Sequence, residues 1–156
     1  MSHVPTQSLH DFIVRAKQAT YVGDGLKLLP YRLGSHDLQF TDGDWAYHDS
    51  YLGDRDFIGQ EVVYYQEHIV WGMNYFGRIL QPDRITAAQA GQVIKASLSR
   101  LYCEGRFLGG FEYSVDDFKY IDTSEGDVLF FQGREWIERE GRRVYELVYH
   151  GGVVQE

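Results

Sequence analysis

A chain that repeats itself at a fixed offset is restricted to architectures built from like units, and this chain repeats. The octapeptide VWGMNYFG at residues 70–77 returns as VYELVYHG at residues 144–151, keeping Val, an aromatic, a large apolar residue, Tyr and Gly in register. At an offset of 74, six of the 23 positions in 57–79 recur: Phe57/Phe131, Gly59/Gly133, Glu61/Glu135, Val70/Val144, Tyr75/Tyr149 and Gly77/Gly151. Unrelated segments would give about one such match, since common residues each fill roughly 5–10% of positions. At an offset of 73 the likeness extends upstream through Asp44/Asp117, Tyr47/Tyr120, Asp49/Asp122, Gly53/Gly126 and Asp54/Asp127. Two hairpins under like constraints can converge on Gly, Val and Tyr, but two copies of one helix-plus-sheet unit account for more of the matches. One such unit exposes an apolar sheet face, and pairing two covers it. The expectation is a single α+β domain over residues 1–156, made of two pseudo-symmetric halves at about 8–80 and 86–154.

Local signals order the elements. A first helix is expected from Ser8, with Asp11 three residues on as a capping pattern, and with Leu9, Phe12, Ile13 and Ala16 on one stripe. Gly23 and Gly25 end it. Residues 28–44 read as a loop, with turn signals at Pro30, Gly34 and Asp42-Gly43. Strand texture runs from 45 to 80, with Gln66-Glu67 as a hairpin turn. Thr86 and Gln89 form a second capping pair ahead of a helix carrying Ala90, Val93, Ile94, Leu98 and Leu101. Strands return over 111–154, with Glu140-Gly141 as their turn.

Composition removes several functional classes. A chain of 156 residues buries a core without staples, and its lone Cys103 excludes an internal disulfide. That cysteine reads as a buried small apolar residue rather than a nucleophile. A net charge of -8 with no basic cluster argues against direct nucleic-acid binding. MSHVPTQSLHDF lacks the apolar run of a signal peptide, and no stretch approaches the ~20 apolar residues of a membrane span, so a cytoplasmic protein without membrane contact is expected. Twelve tyrosines in a chain that is 15% aromatic fit sheet surfaces and an aromatic-lined cavity.

If each turn is a two-residue loop, Tyr65 faces His68 and Arg139 faces Arg142. Uninterrupted alternation then pairs Val62 with Trp71, Ile58 with Tyr75 and Trp136 with Tyr145 on an apolar face. The opposite face receives Glu61, Val63, Val70, Gly72 and Asn74, and, in the second hairpin, Glu135, Ile137, Val144, Glu146 and Val148. Glu61 would lie against Gly72, leaving a hollow beside Asn74. Glu135 would lie against Glu146, an unfavourable opposition unless Arg134, Arg139 or Arg142, a shared proton or a cation intervenes. A solvated face explains this arrangement, and so does a ligand cleft between the halves. The candidate ligand-binding set is Glu61, Asn74, Trp71, Tyr75, Glu135, Glu146, Tyr149 and His150.

No spacing fixes a reaction. The six histidines, His3, His10, His36, His48, His68 and His150, form no metal motif, and no metal or cofactor is expected. His48 and Asp49 alternate to opposite faces of a strand. Ser35, His36 and Asp37 are too close in sequence to make a triad. GRFLGG at 105–110 lacks the lysine of a phosphate loop.

RAKQATY, SHDLQF, GDWAYHDSYLG, FIGQEVVYY, VWGMNYFG and VYELVYHGG together resemble an uncharacterised bacterial domain-of-unknown-function family. Its members occur alone or behind XRE-type helix-turn-helix regions of transcriptional regulators. The likeness runs from about Phe12 to Gly152. The family pattern falls on Asp37, Asp49, Tyr51, Gly59, Glu61, Trp71, Asn74, Tyr75, Gly77, His150, Gly151 and Gly152. EGRFLGGFEY departs from it, standing where an Arg-Gly-Pro-like turn is expected. No helix-turn-helix is expected before Ser8, so DNA binding by that device is not expected. The resemblance implies a module that regulators borrow. A looser likeness of layout links the chain to GyrI-like ligand-binding domains, whose repeats begin with a strand that is not evident before Ser8.

Three functional expectations follow. The first is a module binding or sensing a small organic ligand between the halves, with cations among the candidates. The second is an interaction protein, such as a homodimer joined through strand edges. The third is a small hydrolase using carboxylates with His48 or His150.

Overall fold

The computed structural model describes residues 4–21 and 25–156, so His3 and Gly23 lie outside the described residues. Helix α1 (Thr6–Tyr21) opens two residues before Ser8, because the Pro5 carbonyl accepts the Leu9 N–H at 3.1 Å and closes the first turn. Asp11 does not cap the helix; it accepts the Gln7 side-chain amide at 2.7 Å. Helix α2 (Ala87–Cys103) starts with a complete capping box, the Gln89 N–H donating to Thr86 Oγ1 at 3.1 Å and the Thr86 N–H to Gln89 Oε1 at 3.0 Å. Cys103, at its end, is exposed rather than buried.

Nine strands form one sheet: β1 (Leu26–Leu28), β2 (His36–Asp42), β3 (Trp45–Gly53), β4 (Phe57–Tyr65), β5 (His68–Ile79), β6 (Phe111–Val115), β7 (Phe118–Asp127), β8 (Phe130–Arg139) and β9 (Arg142–Val153). The spatial order is β1-β2-β3-β4-β5-β9-β8-β7-β6, and every neighbouring pair is antiparallel. The chain walks from one edge to the centre, crosses over the sheet as α2, and returns from the other edge to the centre. There β5 meets β9 with Tyr75 opposite Tyr149. The stretch expected as loop contributes β2, since pairing from His36↔Tyr51 to Asp42↔Trp45 outweighs weak local propensity.

Both hairpin turns are the expected two-residue loops, with Tyr65 opposite His68 and Arg139 opposite Arg142. Their central residues are left-handed: φ is 49° and 67° at Gln66 and Glu67, and 51° and 72° at Glu140 and Gly141. The register beyond the turns corrects the uninterrupted count. Ile69 pairs with Tyr64 but Trp71 pairs with Val63, leaving Val70 as an extra, bulged residue. Arg143 pairs with Glu138 but Tyr145 pairs with Ile137, leaving Val144 in the same position. Each bulge offers its carbonyl to the far strand's exit, Val70 O to the Val154 N–H at 3.0 Å and Val144 O to the Leu80 N–H at 2.8 Å. A bulge shifts the pairing by one residue and so reverses which β4 and β8 side chains share a face with β5 and β9. Glu61 therefore lies opposite Met73, not Gly72, and Glu135 opposite Leu147, not Glu146.

The two helices cover one face of the sheet, α1 over β2 and β3, α2 over β6 and β7, and touch each other. Between helices and sheet lies the core, where Phe12, Tyr47, Val63, Trp71, Tyr120, Phe131, Ile137 and Tyr145 are fully enclosed. No described helix is long and apolar enough to cross a membrane. The other sheet face is open, and Ile58, Phe76 and Val148 form an exposed row across β4, β5 and β9.

Candidate functional site

The helix-side face of the central strands should be greasy, yet it carries four carboxylates. Asp49 on β3, Glu61 on β4, Asp122 on β7 and Glu135 on β8 are all buried. Each is met by a tyrosine hydroxyl. Tyr47 donates to Glu61, and Tyr75 to Asp49 at 2.6 Å. Tyr120 donates to Glu135, and Tyr149 to Asp122 at 2.8 Å. The two sets of contacts are the same in kind and in strand position. Gly59 lies directly opposite Tyr75, and Gly133 opposite Tyr149. A Cβ on either glycine would run into the tyrosine ring, so their bareness lets each ring lie flat across the sheet and reach its aspartate.

The sets then differ. Lys17 of α1, itself buried, places Nζ 2.8 and 3.0 Å from the two oxygens of Glu61. Glu135 has no Lys or Arg within ion-pair distance among the described residues; its second donor is the Tyr145 hydroxyl at 3.0 Å. Trp71, the residue matching Tyr145 in the repeated phrase, instead donates its indole N–H to the Val128 carbonyl at 3.1 Å.

Several of these groups line a cavity of about 90 Å³ bounded by α1, α2 and the sheet; Asp49 and Tyr47 stand behind its wall. Its polar fixtures are Lys17, Glu61, Asp122 and Glu135, with Tyr75, Tyr120, Tyr145 and Tyr149 beside them. Phe57, Met73, Ile94, Leu98, Phe107 and Leu147 make the apolar wall, and Tyr21 and Tyr102 close the helix side. Such a volume accommodates a few waters, each taking about 30 Å³ in the liquid, or a ligand of a few heavy atoms.

Burial, aided by the nearby Glu61 charge, raises Asp49 to about 7, with the Tyr75 hydroxyl and Lys17 pulling the other way. Burial raises Glu135 to about 7 against the pull of the Tyr120 hydroxyl, and it raises Asp122 to about 6. Burial and the same carboxylates push the phenols of Tyr47, Tyr75, Tyr120 and Tyr145 well above their usual range, so they remain neutral donors.

Of the eight residues singled out in the sequence, Glu61, Tyr75, Glu135 and Tyr149 meet in this cavity. Trp71 is buried in the core but does not line it. Asn74, Glu146 and His150 lie on the open sheet face, where Asn74 accepts from Gln60 at 2.8 Å and Glu146 pairs with Arg78 at 3.1 Å. The bulges explain the split, because they put Glu61 and Glu135 on the face of Tyr75 and Tyr149 rather than that of Asn74 and Glu146. None of Arg134, Arg139 and Arg142 neutralises Glu135; Arg139 pairs with Asp117 at 2.8 Å. Sequence reasoning missed Lys17 as a site residue, although a lysine four residues beyond Ile13 on the buried stripe was the available signal. It also left Tyr47, Asp49, Tyr120 and Asp122 unassigned, although all four recur at the offset of 73.

The histidines stand apart. His48 is bonded to Asp37 at 2.9 Å under the Tyr31 ring, and Ser35 donates to that same aspartate at 2.5 Å. The order is serine–aspartate–histidine, so the histidine does not reach the serine hydroxyl as a base would. Strand alternation puts His48 and His150 on the side of the sheet away from the four carboxylates. No group of three or more His, Cys, Asp or Glu side chains among the described residues is placed to hold a metal.

Fold and cavity together define a two-layer α+β protein with an acidic, tyrosine-lined chamber between a helix pair and one antiparallel sheet. Residues 49–154 match the family described as Domain of unknown function (DUF5680), and the chain belongs to that family. No curated protein and no solved structure matches it. The matched span contains the four buried carboxylates of the helix-side face, whereas Lys17 and Tyr47 precede it.

Proposed function

We propose that the chain is a small-molecule-binding module whose ligand, a compact organic cation, enters the cavity between α1, α2 and the sheet. The observation that carries this reading is the imbalance of the chamber: among the described residues, three buried carboxylates, Glu61, Asp122 and Glu135, line it with one buried ammonium, Lys17, while a fourth, Asp49, lies behind Tyr75. Burying carboxylates among aromatic side chains is unfavourable for stability alone, and retaining them fits a site that takes up positive charge. Aromatic faces at Phe107 and Tyr21 already attract the Lys17 ammonium, at 5.5 and 6.0 Å, and suit a second cation.

We further infer that residues 8–80 and 86–154 descend from one duplicated unit. What supports this is the pairing of Tyr75 with Tyr149, the matched bulges at Val70 and Val144, and the matched Tyr–carboxylate contacts. In this reading the cavity is the seam between the copies. The resemblance to a domain found behind helix-turn-helix regions makes a sensing role in transcriptional regulation the natural use of such a seam.

A thermal-shift series with compact organic cations, and with neutral and anionic analogues of the same size, tests the proposal. Cations at a hundredfold excess over Kd should raise Tm by about 5–10 °C. The response should strengthen as pH rises through the range where Asp122, Asp49 and Glu135 ionise. It should vanish in Glu61→Gln and in Ile94→Phe, which fills the cavity without touching a charge. A cation that stabilises Ile94→Phe as well as the parent protein, or no response to any compound, would overturn the reading.

A further inference from the structure

On the reading just proposed, the cavity has two acidic ends, and among the described residues only one of them holds a cation. Lys17 Nζ bridges both oxygens of Glu61 at 2.8 and 3.0 Å. At the other end, Glu135 is 6% exposed and receives only neutral hydroxyls from Tyr120 and Tyr145, with Asp122 directly opposite on β7. The helices account for the difference. Lys17 stands four residues before Tyr21, and Leu98 four residues before Tyr102; the two tyrosine rings meet at 6.4 Å, and both Lys17 and Leu98 line the cavity. The same spacing matches buried Leu9 with Ala90, Phe12 with Val93 and Ala16 with Ser97. Leu98 thus occupies in α2 the place that Lys17 occupies in α1.

We infer that the Glu135 end is a subsite for the primary ammonium group of a compact aliphatic amine, which takes at Glu135 the place that Lys17 Nζ takes at Glu61. An ammonium brings three N–H donors to a carboxylate that still has acceptor capacity after its two hydroxyl bonds. The alkyl part would rest on Leu98, Ile94, Met73 and Leu147 of the cavity's apolar wall. A cavity of about 90 Å³ excludes a drug-sized molecule and suits a short chain. A quaternary ammonium has the charge but no N–H, and an alcohol of equal length has a donor but no charge.

The full chain is titrated calorimetrically with n-propylamine, tetramethylammonium and 1-propanol, at about pH 8 so that the cavity acids are ionised. Propylamine should bind, and both comparison compounds should bind more than about tenfold more weakly. Leu98→Lys should fold, since it completes a second internal ion pair, and should lose propylamine binding because its own ammonium occupies the subsite. Glu135→Gln should lose it too. Lys17→Met should open the matching subsite at Glu61 and regain Tm when propylamine is added. Propylamine binding that survives Leu98→Lys, or Lys17→Met that gains nothing from the amine, would overturn the subsite. Tetramethylammonium or 1-propanol binding in preference to propylamine, with loss in Ile94→Phe, would overturn the subsite while leaving the binding module intact. Failure of all three compounds, together with the broader thermal-shift series, would remove both.

Discussion

At Gly59 and Gly133 two hydrogen atoms decide where two tyrosine rings lie. Each glycine sits across from the ring that reaches over it to an aspartate, Tyr75 to Asp49 and Tyr149 to Asp122. Gly59→Ala should therefore displace Tyr75 and break its 2.6 Å bond to Asp49. The expected loss, read from urea unfolding, is roughly 2–4 kcal/mol, combining overpacking with a buried hydrogen bond. Tyr75→Phe, which removes the bond and keeps the ring, should lose about 1–2 kcal/mol. If the two variants were equally stable, the ring would not be lying where the glycine permits. The recurrence of both glycines is visible in the sequence. The ring that each accommodates is not, because the contact is made across strands and depends on register.

The hairpins show how little local information can settle. Both turn positions were legible, and both turns place two residues in the left-handed region, which only glycine occupies freely. The first hairpin uses Gln66-Glu67 and the second Glu140-Gly141. A Cβ at Gly141 would meet open space, so Gly141→Ala isolates the backbone and should lower stability by about 1 kcal/mol in thermal or urea unfolding. An unchanged Tm would contradict the left-handed turn. The next step along each hairpin was not legible. Val70 and Val144 look like ordinary strand residues, yet both bulge, because their carbonyls accept N–H groups from Val154 and Leu80 at the ends of distant strands. One extra residue in each hairpin moved Glu61 and Glu135 to the enclosed face, and left Asn74, Glu146 and His150 outside.

The whole molecule carries its buried acids at a cost that pH should reveal. Asp49 and Glu135, each raised to about 7, and Asp122, raised to about 6, hold protons in the folded state that the unfolded chain releases near pH 4. Between about pH 4 and 7 the folded state therefore binds more protons than the unfolded one, and stability should fall as pH rises through that window. Asp37 acts in the opposite direction. Burial would raise it, but hydrogen bonds from Ser35, Ser50, the Tyr31 N–H and His48 outweigh burial and lower it to about 2. Its contribution is present above its ordinary value and is lost as pH falls toward 2. Tm measured across this range should peak in mildly acidic buffer and decline toward pH 8. In an Asp49→Asn, Glu135→Gln double variant the decline should flatten, and a decline of unchanged slope would assign it to other groups.

The sequence by itself determined the helical stripes, the Thr86 capping box, the two hairpin turns and the recurrence of the glutamates, tyrosines and glycines, because each is written in neighbouring residues or in a fixed offset. Only the tertiary structure decided that the sheet is one nine-stranded surface joined at β5 and β9, that the carboxylates face the helices, and that Lys17 pairs with Glu61. Those outcomes rest on hydrogen bonds between strands far apart in the chain and on a helix lying over them. A one-residue bulge, invisible to any local pattern, changes which side chains meet.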